Sequence, residues 1–351
     1  MQERASFAAR IVAWQHAHGR HDLPWQTRDA YRVWLSEIML QQTQVATVLP
    51  YYERFVAAFP DVRSLAAAPL ERVLEQWSGL GYYRRAHHLH AAAKIIVERH
   101  GGEFPRDWDA LAALPGIGRS TASAIASLAF GINAAILDGN VKRVLARHRG
   151  VEGYPGTPAV QRALWVEAES LAPDRDIETY TQGMMDVGAT VCTRTRPLCE
   201  ACPVASDCVA RRERRVDELP SPRPPKIVPR RETRVLVIER AGEMLFERRP
   251  PTGVWAGLWS LPEVPVDVDV ALALEKRFGF RAKHREQLAP IVHGFTHFTL
   301  TMHVERIEVA TRDQSAREVS YLWVTRADAL GAALPAPIKR LVRSLEAAAS
   351  T

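Results

Sequence analysis

The chain has 351 residues, 47% of them hydrophobic and 25% charged, with a formal charge of +6. These values describe an ordinary soluble globular protein, and the length favours two domains over one. No apolar run approaches the roughly 20 residues of a membrane span, and the first residues lack the basic-then-apolar shape of a secretion signal, so a cytoplasmic protein is expected. The basic excess has the sign expected of a nucleic-acid binder.

From about residue 5 to 210 the pattern reads as helix after helix, with apolar spacing clearest over 33–48, 65–77, 86–97, 121–130 and 141–145. Within 33–48, Trp34, Ile38, Gln41, Val45 and Val48 share one helical face and Glu37 stands at its edge. A carboxyl beside an apolar stripe loses solvation, so it is expected to hold a proton near neutral pH. The plainer reading of such a glutamate is a side chain reaching out to solvent. Gln41, Gln42, Thr43 and Gln44 form an amide-rich run on the same predicted helix, suited to reading base edges or filling the gap left by a displaced base.

Next, Gly79-Leu80-Gly81-Tyr82-Tyr83-Arg84-Arg85 sets two tyrosines and two arginines after a flexible turn, suited to wedging between bases and holding phosphates. One of the tyrosines is expected in the core. Leu114-Pro115-Gly116-Ile117-Gly118-Arg119-Ser120 opens onto an alanine-rich helix. Glycines two apart allow a sharp turn that leaves backbone N–H groups free at a helix N-terminus, a geometry that grips phosphate without reading sequence. A plain turn is the alternative. Asp138-Gly139-Asn140 then leads into a helix with Lys142 and Arg143 in its first turn. An aspartate there commonly caps the helix. The same N–H groups and cations are expected to hold it ionised. One acid kept protonated and one kept as an anion is the division of labour used in glycosidic cleavage.

All four cysteines of the chain, Cys192, Cys199, Cys202 and Cys208, fall in one short C-x6-C-x2-C-x5-C stretch. Four clustered sulfurs in a chain expected inside the cell suit zinc or an iron–sulfur cluster better than two disulfides. Arg194, Arg196 and Arg211 give the same loop a basic surface for a phosphate backbone. From about 211 to 234 the chain is Arg/Pro-rich and reads as an extended linker. Beyond it the periodicity changes. Strands are predicted at 234–239, 244–247 and 298–309 and helices at 269–280 and 336–348, a small α+β domain with its own core.

Taken together, the 34–44 helix, the Gly-Leu-Gly-Tyr-Tyr turn, the Leu-Pro-Gly-Ile-Gly-Arg-Ser-Thr hairpin, Ile-Leu-Asp138-Gly-Asn-Val-Lys-Arg and the cysteine cluster resemble the adenine DNA glycosylases of the MutY type. The resemblance runs over nearly the whole chain. It implies a mainly α helix-hairpin-helix domain with an iron–sulfur loop (1–212), an Arg/Pro-rich linker (213–232) and a smaller α+β Nudix-like domain (233–351). It further implies a [4Fe–4S] cluster on the four cysteines and a monomeric bacterial enzyme associated with the nucleoid. Its substrate would be double-stranded DNA carrying adenine opposite 8-oxoguanine or guanine.

By the same resemblance Glu37 is the general acid that protonates the adenine, and Asp138 stabilises the cationic sugar. Gln42, Thr43 and Tyr82 match positions around the 8-oxoguanine, and Trp25 matches a wall of the adenine pocket. Gly116, Gly118, Ser120, Asn140 and Lys142 fall among the DNA-facing positions. Adenine has to leave the stack before an acid can reach it. A related reading is an endonuclease III-like glycosylase/lyase for oxidised pyrimidines, which needs a lysine nucleophile where this chain has Ser120; a serine forms no Schiff base. A non-enzymatic DNA-docking module is the third reading, and the presence of both carboxylates argues against it. The second domain resembles a Nudix fold around Gly253-Val254-Trp255 without the glutamates of the hydrolytic box, so it is expected to bind and not to hydrolyse. Phe295, Thr296 and His297 match the loop that touches 8-oxoguanine in the family.

Overall fold

The computed structural model describes residues 6–225, 227–310 and 321–349. The chain forms two compact units, Met1–Ala67 with His88–Pro225 and Ala68–His87 with Lys226–Thr351. The first is helical: α1 (Phe7–His18), α2 (Ala30–Leu40), α3 (Val45–Ala58) and α4 (Val62–Ala67). The chain then contributes α5 (Leu70–Trp77) to the second unit and crosses back within α6 (Arg84–His100). It continues through α7 (Trp108–Ala112), α8 (Arg119–Phe130), α9 (Gly139–Arg149), α10 (Pro158–Leu171), α11 (Ile177–Asp186) and the short α12 (Val209–Arg212).

Local chemistry sets these boundaries. Asp29, Asp107 and Asp138 accept hydrogen bonds from first-turn N–H groups of α2, α7 and α9. Gly131 and Gly150 end α8 and α9 in the left-handed conformation. The helix predicted over 33–48 is in fact two, because the chain breaks after Leu40 and Gln42 takes φ +58° before α3 begins at Val45. Gln41 and Val45 therefore do not continue the face of Trp34 and Ile38, and the amide run is a turn. The stretch 65–77 is likewise divided, since Pro69 cannot continue a helix and instead stands at the N-cap of α5. Trp34, Leu35, Ile38 and Met39 of α2 are fully buried, and Ile11, Val144, Leu145, Leu164, Met184 and Val187 form a second part of the helical core.

The second unit carries a mixed sheet of β1 (Arg230–Arg240), β2 (Glu243–Arg248), β3 (Trp259–Ser260), β4 (Glu263–Val264), β5 (Ala282–Gln287), β6 (Ile291–Gly294), β7 (Thr299–Val309) and β8 (Tyr321–Thr325). The principal order is β3-β2-β1-β7-β5, with β4 on β1, β6 on β7 and β8 on β2. β1 and β7 run parallel from Arg230↔Thr299 to Glu239↔Glu308, and the other pairs are antiparallel. Its helices are α13 (Val270–Ala273), α14 (Arg326–Gly331) and α15 (Ala336–Ala349). Leu236, Ile238, Leu245, Leu274 and Ile307 lie in its core.

The junction is shorter than the predicted linker. Arg147 donates to the Leu219 carbonyl at 2.7 Å and Gly153 N–H to Ser221 Oγ at 3.2 Å, which ties 219–221 to the helical unit, while β1 already begins at Arg230. No helix among the described residues is long and apolar enough to cross a membrane.

Candidate active site

The break between α2 and α3 opens one wall of a cavity of about 1250 Å³ in the helical unit. Of the predicted site residues, Trp25, Glu37, Gln42, Thr43, Ser120, Asp138 and Asn140 all line it. Trp25 is buried and meets Tyr52 edge-on at 5.2 Å, so it is both core and wall. Glu37 sits in the last turns of α2, and among the described residues its carboxyl forms no hydrogen bond or ion pair. Burial pushes it up to about 8, and the nearby Asp138 adds to the rise. A neutral carboxylic acid at physiological pH is the form that donates a proton.

Asp138 does cap α9, accepting the Val141 N–H at 2.7 Å. Its carboxyl nevertheless lies above the ordinary aspartate range. The expectation that it is held down fails because burial outweighs the bonds from Val141 and Asn140 and the charges of Arg143 and Lys142. Ser120 has a structural role at this place: its Oγ accepts the Leu137 N–H at 3.1 Å, which fixes the residue just before Asp138. Asn140 Nδ2 reaches Asp138 Oδ2 at 3.4 Å, and Arg143 donates to Asn140 Oδ1 at 2.9 Å and to the Cys192 carbonyl at 2.6 Å. The cavity thus presents two buried carboxyls, both raised by burial, to the same space, with an indole wall and several amides.

Two matches to known families cover this architecture. Residues 35–170 match the HhH-GPD superfamily base excision DNA repair proteins, and residues 234–344 match the NUDIX domain. The chain is 33% identical to the adenine DNA glycosylase of Buchnera aphidicola (subsp. Acyrthosiphon pisum), over 97% of both proteins. The chain belongs to the adenine DNA glycosylase family. It is also 35% identical to the human adenine DNA glycosylase over 97% of this chain and 74% of the relative. The structure of a thermostable thymine-DNA glycosylase aligns with a TM-score of 0.54 and 31% identity, covering 59% of this chain and 95% of that protein. Members of the adenine DNA glycosylase family are N-glycosylases of base excision repair that act on adenine mispairs.

The remaining predicted residues lie outside this cavity. Gly116, at φ +78°, and Gly118, the N-cap of α8, shape the hairpin between α7 and α8. A side chain at Gly116 would meet His88 Cβ at 2.8 Å. Lys142 is partly buried in the first turn of α9. The four cysteines are free of disulfides and line a second, small cavity with Val144, Val191, Val204 and Arg147. Burial pushes the Cys202 thiol up to about 11, and the other three sulfurs add to the shift. Among the described residues no group of three or more His, Cys, Asp or Glu side chains is disposed to hold a metal ion.

In the second unit Tyr82 is half-exposed at φ +48°, whereas Tyr83 is buried and is the core tyrosine of the pair. Arg85, predicted to hold phosphate, is instead 8% exposed, because its guanidinium lies over the rings of both Trp77 and Tyr82. Phe295, Thr296 and His297 form the β6–β7 loop, with Thr296 and His297 exposed and Phe295 stacked on Phe298 at 4.5 Å. Glu275 is exposed and paired with Arg281 at 3.2 Å.

Sequence reasoning missed Gln26, Gln182 and the Arg20–Asp186 pair, which also wall the active-site cavity or support it. Asp186 is fully buried, accepts Arg20 N–H at 2.9 Å and Gln182 Nε2 at 2.9 Å, and so fixes Gln182 and the loop carrying Trp25. The available signal was an aspartate between Met185 and Val187 on an apolar helix face, one turn after Gln182.

Proposed function

We propose that this chain hydrolyses the N-glycosidic bond of adenine opposite 8-oxoguanine, and more slowly opposite guanine, in double-stranded DNA, without cutting the strand. The observation that carries this reading is the meeting of Glu37 and Asp138 in one cavity, with Glu37 unpaired among the described residues and pushed by burial up to about 8. Glu37 donates its proton to the flipped adenine, and electrons of the breaking C1′–N9 bond leave with the base. The cationic sugar that remains is stabilised by the Asp138 carboxylate, and water then adds at C1′ with loss of a proton. Trp25 supplies the flat wall against which an extruded base can lie.

A [4Fe–4S] cluster is proposed on Cys192, Cys199, Cys202 and Cys208. The support is the donor set: four free sulfurs around one small, mostly apolar cavity, close enough that the others help raise the Cys202 and Cys208 thiols, but not gathered as for a single ion. Such a cluster would supply positive charge that keeps the thiols ionised and would brace the loop bearing Arg194 and Arg196. Arg143, through the Cys192 carbonyl, joins that loop to Asn140. Tyr82, Phe295, Thr296 and His297 are proposed to read the base opposite adenine; the two exposed side chains of the β6–β7 loop support this role.

A gel assay tests the reading. Duplexes with 8-oxoguanine:A, G:A or thymine glycol are incubated with the protein, with and without alkali. Breaks at the adenine after alkali alone are expected. Breaks at thymine glycol without alkali would overturn the proposal in favour of a glycosylase/lyase.

A further inference from the structure

The 79–83 turn is not built on the helical unit that holds the two carboxyls. Residues Ala68–His87 are compact with the C-terminal sheet, so Tyr82 and the Phe295-Thr296-His297 loop belong to the same unit. The reason is visible in three tethers. Tyr83 Oη donates to the Leu334 carbonyl at 3.2 Å and accepts the Gly79 N–H at 3.2 Å, so one buried hydroxyl joins both ends of the turn to the segment between α14 and α15. His87 Nε2 donates to the Ala256 carbonyl at 3.1 Å, and Arg248 of β2 pairs with Glu71 in the first turn of α5.

The turn itself is stiff. Gly81 O accepts Trp77 Nε1 at 3.0 Å and Arg85 Nη2 at 3.2 Å, and Arg85 lies between the Trp77 and Tyr82 rings. A stiff turn pinned by a buried hydroxyl carries its exposed residue in a fixed place, whereas an unpinned one lets that residue sample many.

We infer that Tyr83 is a positioning residue for recognition of the opposite base: its hydroxyl fixes the turn that presents Tyr82 to the C-terminal domain, so that the exposed Tyr82 ring and the β6–β7 loop act as one reader. This role deepens the proposed function and rests on it. Tyr83→Phe keeps the ring and removes only the hydroxyl, leaving the Leu334 carbonyl and the Gly79 N–H without it.

The test uses the full chain under single-turnover conditions, comparing 8-oxoguanine:A with G:A duplexes. For Tyr83→Phe the half-saturating protein concentration on 8-oxoguanine:A should rise about five-fold, the worth of one buried hydrogen bond. The maximal rate and the G:A values should change by less than two-fold. Hydrogen exchange at the Gly79 amide should quicken in the same variant. Arg248→Gln, which breaks the third tether without touching the turn, should shift the same constant in the same direction and is the deciding variant if Tyr83→Phe melts early. Unchanged preference in both variants, with faster Gly79 exchange, overturns the positioning role alone. Equal loss on both duplexes would mark a general structural defect and also overturns it. A wild-type chain with no preference for 8-oxoguanine:A overturns the functional reading beneath it.

Discussion

In the helical unit Glu37 and Asp138 share a cavity and neither forms an ion pair among the described residues. In the sheet unit Glu247 pairs with Arg277, Glu263 with Arg249 at 3.0 Å, and Glu305 with Arg285 at 2.5 Å. Burial raises Glu37, Asp138, Glu247 and Glu263 alike, so desolvation by itself does not separate a reactive carboxyl from an inert one. The difference is the arginine. Opposite an arginine a buried carboxyl has its charge satisfied and its lone pairs occupied, and it can neither give up a proton usefully nor bind a cation. Facing an empty cavity, the same group waits for a substrate to complete its environment.

The largest effect should come from Glu37→Gln. Adenine release in a single turnover should fall by about 10³-fold while mismatch binding in a gel shift is retained. The variant should also be more stable than wild type at high pH. The folded state holds the Glu37 proton up to about 8, against 4.5 for the ordinary group, so wild-type stability declines as pH rises through that interval. The two unfolding free energies should coincide near pH 4 and separate as pH rises to about 8, by roughly 5 kcal/mol at the limit. A gap that is widest in acid would mean Glu37 is not buried as a neutral acid.

Asp138 separates chemistry from capping. Asparagine can still accept the Val141 N–H, so Asp138→Asn should lose about 100-fold in rate yet hold stability within about 0.5 kcal/mol. Asp138→Ala should lose a similar rate and about 1 kcal/mol besides. Equal rates for Asn and wild type would remove the charge from the mechanism.

The smallest effect on activity should come from the other side of the comparison. Glu247→Gln weakens the pair with Arg277 and should cost about 1 kcal/mol in urea unfolding, with adenine release changed by less than two-fold. A large fall in rate would show that the paired carboxylates are not inert.

Most of the architecture was legible in advance. Helical spacing, glycine-proline punctuation and the change to strand alternation marked the two halves; Glu37, Asp138 and the cysteines stood out as candidates from their neighbours, and Ser120 from the family resemblance. The missed features all involve partners distant in sequence. Arg85 looked like a phosphate ligand because nothing local shows Trp77 and Tyr82 closing over it. Asp186 had no visible purpose without Arg20, 166 residues away in the chain. The α2–α3 break is not marked in the sequence because Gln42 takes the left-handed conformation without the glycine or proline that usually signals such a turn.

By itself the sequence nominated which groups could do the chemistry: an acid at the edge of an apolar helix, an aspartate at a helix start and four sulfurs in one loop, with the family resemblance adding a serine where a lyase needs lysine. Only the tertiary structure decided which way burial moves Glu37 and Asp138 and which body carries each group. Asp138 has every local feature of a stabilised anion, yet the protein packed around it removes more solvation than its cap and cations restore. The tyrosine turn lies in the midst of the helical sequence, yet Tyr83, His87 and Glu71 find their partners in the C-terminal domain. Solvation and long-range contact are sums over neighbours far away in the chain, and they exist only once the chain has folded.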